Sequence, residues 1–92
     1  MSESVNIKLK RAAIVLANEL DYPKPAERLN INVAELKKLI HSLEGQLCLY
    51  IFRSRESQVE LTEEGKYLIR VFRQSVALHD RELSEGTAKT GE

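Results

Sequence analysis

The side chains with the clearest chemical use are cations set at regular spacing. Lys37 and Lys38, with His41 one turn further on, fall off an apolar row and can hold phosphate oxygens from one helix face. Arg53 and Arg55 lie in the wholly polar run Arg53 to Gln58, where they can rest against phosphates or a minor groove. Lys24 stands near the start of a short helix, a further place for phosphate contact. Asn32, Val33 and Ala34 precede the two lysines; the last two are small enough to touch a thymine methyl. Other chemistries lack support. There is no Ser/His/Asp set, glycine-rich phosphate loop or cluster of metal ligands, so neither an enzyme nor a cofactor nor a metal is expected. His79-Asp80 is isolated, and Glu63-Glu64 belong at the start of a helix. Cys48 stands alone and reads as a small buried hydrophobe.

The elements that must position these residues follow from periodicity. Ile7, Leu9, Ala13, Leu16, Ala17 and Leu20 recur at helical spacing and predict a first helix over 7–20. Two prolines within Asp21–Pro25 end it, and Pro25 opens a short second helix to Leu29, where its missing donor costs nothing. Asn30-Ile31-Asn32 is a tight connection, and Asn32 with Glu35 has the spacing of a capping box. Leu36, Leu39, Ile40, Leu43 and Leu47 then form one stripe, giving a third helix from Val33 to about Leu47. Leu49–Phe52 and Val59–Leu61 change period to two short strands around the polar run, a small hairpin. Thr62 caps a last helix, whose apolar face carries Leu68, Ile69, Val71, Phe72, Val76, Leu78 and Leu83.

Ninety-two residues make a single domain, 42% apolar and 5% aromatic, too small for a large enzymatic cleft. No apolar run reaches the roughly 18 residues of a membrane span, and the start Met1-Ser2-Glu3-Ser4 is no signal peptide. With a single cysteine, this makes a cytoplasmic protein the expectation. Fourteen basic and fourteen acidic residues cancel, so no global field draws the chain toward a polyanion. From Lys8 to Gln58 nine basic residues face six acidic ones, a weak local excess.

Two helices joined by a short turn, the second with a polar outer face, followed by a hairpin, make a mostly α, winged helix-turn-helix layout. From about Lys10 to Gly65 the sequence resembles the amino-terminal DNA-binding domain of LysR-type transcription regulators. Ala26-Glu27-Arg28-Leu29-Asn30-Ile31 is similar to that family's phrase before its recognition helix, and Leu36, Ile40 and Leu43-Glu44 to that helix's core. Leu47, Phe52, Val59, Leu61-Thr62 and Gly65 resemble its wing and linker start. The smaller winged domain of molybdate-responsive regulators is a close cousin of the same pattern. The departures fall where DNA would be touched. Asn32, Val33 and Ala34 replace the family's serine, glutamine and proline; Glu35 replaces a small residue, Lys37 a serine and Cys48 a glycine. The family's large effector domain has no counterpart in the chain, so no small-molecule effector site is expected.

The resemblance implies a winged domain over 1–61, a linker and dimerisation helix over 62–84, and a flexible tail over 85–92. Leu68, Ile69, Phe72 and Val76 are then the expected homodimer contacts, and double-stranded DNA the expected partner, with no membrane role. The alternative is a winged-helix module turned to protein partners, which zero net charge and the carboxylate of Glu35 favour.

Overall fold

The computed structural model describes residues 7–55 and 58–91, with side chains as far as residue 81. Four helices and one hairpin follow in the order α1 (Ile7–Glu19), α2 (Pro23–Leu29), α3 (Val33–Leu47), β1 (Phe52–Arg55), β2 (Gln58–Leu61) and α4 (Glu63–Gly91). This is a winged helix-turn-helix. Helix α1 is the hub, packing against α2, α3 and α4. Its inward row Leu9, Ala12, Ala13 and Leu16 meets Ala26 of α2, Leu36, Ile40 and Leu43 of α3, and Ile69 and Phe72 of α4. Small alanines at the centre of the row let the surrounding helices approach closely.

The turn between α2 and α3 is fixed from both ends. Asn30 takes the left-handed conformation (φ 61°) and its amide closes α2 on Ala26 and Glu27. The Asn32 side chain then accepts from the Glu35 amide at 2.7 Å, the cap that its spacing predicts. Helix α2 begins at Pro23 rather than Pro25. Both prolines fit its first turn, where amides have no intrahelical partner, and the Asp21 carboxylate accepts from the Lys24 amide at 3.2 Å.

The hairpin departs further from expectation. Leu49, Tyr50 and Ile51 are not in a strand, because their backbone groups are engaged elsewhere. The Leu49 amide bonds to the Glu44 carbonyl, and the Ile51 carbonyl accepts from the Thr62 amide at 2.9 Å. Residues 53–55, expected as part of a polar tip, form the body of β1 instead. The antiparallel register pairs Phe52 with Leu61, Arg53 with Glu60, Ser54 with Val59 and Arg55 with Gln58.

Helix α4 starts on Thr62, whose hydroxyl accepts from the Gly65 amide at 2.9 Å and donates to the Tyr50 carbonyl at 2.6 Å. It runs to Gly91, past the boundary expected at 84 and through most of the segment expected as a tail. Leu83 lies outside the described side chains. Polar ties fasten α4 to α1: Lys10 donates to Ser75, Arg73 to Asn18, and Arg11 pairs with Asp80.

Candidate nucleic-acid interface

Helix α3 presents two sides set by its period. Leu36, Ile40 and Leu43 are buried, leaving Ala34, Lys37, Lys38 and His41 exposed on the outer half. Asn32 is exposed but engaged as the cap, and Val33 is half-buried against the core, so it is not displayed as the sequence suggests. Glu35 and Lys37 are separated by about 160° around the helix axis. The carboxylate therefore sits on the opposite flank from Lys37 and adds to the favourable charge of the first turn.

Lys37 is not free in solvent. Its ammonium lies 5.1 Å from the centre of the Tyr22 ring, a cation–π contact that links α3 to the start of α2, where Lys24 is exposed. Burial, and secondarily the charge of Glu44, raise the Tyr22 phenol above its ordinary pKa.

Glu44, which the sequence marks only as part of the resembled helix core, has a role that the sequence did not reveal. It is buried at the end of α3, and its Oε2 accepts from the amides of Ile51 (2.9 Å) and Phe52 (3.0 Å). One carboxylate thus hangs the root of the wing on α3. Between α3 and the wing runs an open cleft of about 420 Å³ bordered by Tyr22, His41, Arg53 and Tyr50. Tyr50 is 73% exposed at its rim, another residue missed by sequence reading because it sat inside an expected strand. Arg53 and Arg55 project from alternate positions of β1, hence from one face, and both reach Glu60 on β2. The structure thus arrays Lys24, Lys37, Lys38, His41, Arg53 and Arg55 along α2, α3 and the wing.

The expected dimer residues require a correction. Ile69, Phe72 and Val76 are buried within the domain on the side of α4 turned to α1, and Leu68 is half-buried beside them. Ile69, Phe72 and Val76 are thus already covered within one chain, while Leu68 keeps part of its surface. Tyr67, Val71 and Leu78 remain 65%, 37% and 54% exposed. Their spacing of four and seven places them in one stripe, roughly 150° around α4 from the buried one. Cys48, the left-handed closing residue of α3 (φ 58°), is also exposed rather than buried. Among the described residues, no group of three His, Cys, Asp or Glu could hold a metal, and no helix is long and apolar enough to cross a membrane.

No protein-family model and no curated protein sequence matches the chain. Solved structures match it closely in shape. The DNA-binding domain of BenM, in complex with a catB site, superposes with a TM-score of 0.91 at 19% identity, over 96% of this chain and 98% of that one. Vibrio fischeri DarR in complex with DNA gives 0.91 at 21% identity, over 97% of this chain and 30% of that one. The DNA-bound domain of CbnR gives 0.87 at 19% identity, over 94% and 99%. The chain therefore spans nearly all of the isolated domains but less than a third of DarR. The fold is that of the DNA-binding domains of LysR-family regulators.

Proposed function

We propose that the protein is a sequence-specific DNA-binding transcription regulator, or the DNA-binding part of one, acting without catalysis in the cytoplasm. The observation that carries this reading is the exposed outer face of α3, with Ala34, Lys37 and Lys38 beside a wing bearing two arginines. The structures it resembles in shape include domains bound to DNA. Helix α3 enters the major groove, the α2 start and wing meet phosphates, and the cleft beside Tyr50 and His41 follows the backbone. A second copy pairs through the Tyr67, Val71 and Leu78 stripe of α4, so that two reading helices address a roughly two-fold site.

The test is fluorescence anisotropy with a mixed-sequence duplex at about 50 and 200 mM salt, where several phosphate contacts make affinity fall steeply. The double variant K37E/K38E, still folded by circular dichroism, loses about a hundredfold or more in affinity. Unchanged binding by that variant would show that α3 is not the reading helix. Absence of binding by the unaltered protein at low salt would favour the protein-partner reading, for which the exposed apolar stripe and zero net charge speak.

A further inference from the structure

Two wing arginines that share one carboxylate are not a simple phosphate clamp. Arg53 and Arg55 extend from the same face of β1, and Glu60 stands directly across from Arg53. Its Oε1 lies 3.9 Å from Arg53 Nε, and its Oε2 lies 3.4 Å from an Arg55 terminal nitrogen. The residue across from Arg55 is the neutral Gln58. Among the described residues of this face, the two cations are offset by one anion, which Arg55 hydrogen-bonds and Arg53 approaches through its Nε.

We infer that Glu60 restrains the wing's grip on the phosphate backbone; this rests on the DNA-binding reading above. Two effects act in the same direction. The ion pairs with Glu60 offset part of each arginine's charge toward a phosphate, and the carboxylate on the neighbouring strand repels that phosphate. Backbone contact carries no sequence information, so weakening it lowers affinity for every duplex alike. The α3 contacts then decide a larger share of where the protein stays. Holding the hairpin together does not require this residue. Its arginine partners are mostly solvent-exposed, and exposed pairs contribute little to stability. Buried Phe52 and Val59 fix the register.

The experiment compares E60Q with the unaltered protein by anisotropy on a mixed-sequence duplex. Glutamine keeps the shape and an acceptor for the arginines while removing the charge. E60Q should bind about three- to tenfold more tightly at roughly 50 mM salt, with a smaller gain at about 200 mM. D80N removes the same charge from the far part of α4 and should gain nothing. In an R53A/R55A background E60Q should lose its effect, because the carboxylate acts through those two side chains. Equal gains in E60Q and D80N, or a gain that survives loss of both arginines, would overturn the inference. So would no gain in E60Q while the unaltered protein binds, an outcome that leaves the DNA-binding reading intact. If the unaltered protein binds no duplex, that reading fails and a heparin column still decides whether Glu60 masks the arginines. Elution of E60Q at higher salt supports the masking, and co-elution refutes it.

Discussion

Cys48 shows how one backbone angle decides what a side chain does. Its φ of 58° lies in the left-handed region, where a Cβ crowds the following carbonyl at a cost of about 1–2 kcal/mol. Its thiol gains little in return, with one weak contact at 3.7 Å to the Gly45 carbonyl. Glycine removes the clash and adds about 0.5–1 kcal/mol of chain entropy to be overcome. Cys48→Gly should therefore stabilise the domain by about 0.5–1 kcal/mol, seen as a melting temperature a few degrees higher by circular dichroism. Resemblance to a family with glycine here pointed to this position, yet the exposure did not follow from sequence, where cysteine usually signals burial. Glu44 was visible as part of a family pattern, yet its role was hidden for the opposite reason. Beside Leu43 it looks like an ordinary helix-flank charge. Its role exists only because the chain returns with the Ile51 and Phe52 amides within reach.

Among elements, the joint between wing and α4 is the least forgiving. A Cβ built on Gly65 would lie 2.1 Å from the Ile51 carbonyl oxygen. That oxygen cannot retreat, since it accepts from the Thr62 amide and the Ile51 side chain is fully buried. Gly65→Ala should cost about 3 kcal/mol or more, read as a lower urea midpoint with an unchanged slope. The bounds of α3 were legible because apolar period, Asn32 cap and Glu35 all point to one start. The start of β1 was not. Leu49-Tyr50-Ile51 has the composition of a strand, but its hydrogen-bond partners are a helix carbonyl, a carboxylate and α4's first residues. A local pattern cannot reveal partners brought from elsewhere in the chain.

At the scale of the molecule, α4 carries two apolar stripes, and sequence alone could not say which faces inward. The phase is set by α1, whose Leu9, Ala12, Ala13 and Leu16 row receives Ile69 and Phe72. That leaves Tyr67, Val71 and Leu78 exposed, the surface proposed above for a second copy. V71E/L78E should sediment at the mass of one chain with its helical spectrum retained, whereas the unaltered protein should sediment as two. A dimeric mass for that variant would place the pairing surface elsewhere. Because the inner stripe closes each domain by itself, assembly does not have to complete the fold. In the proposed dimer, protomers part and meet again as finished bodies, so subunits with different tags should exchange at rates set by dilution rather than by unfolding. On the proposed function, such an assembly could trade one half for a relative's half, and so address sites whose two arms differ.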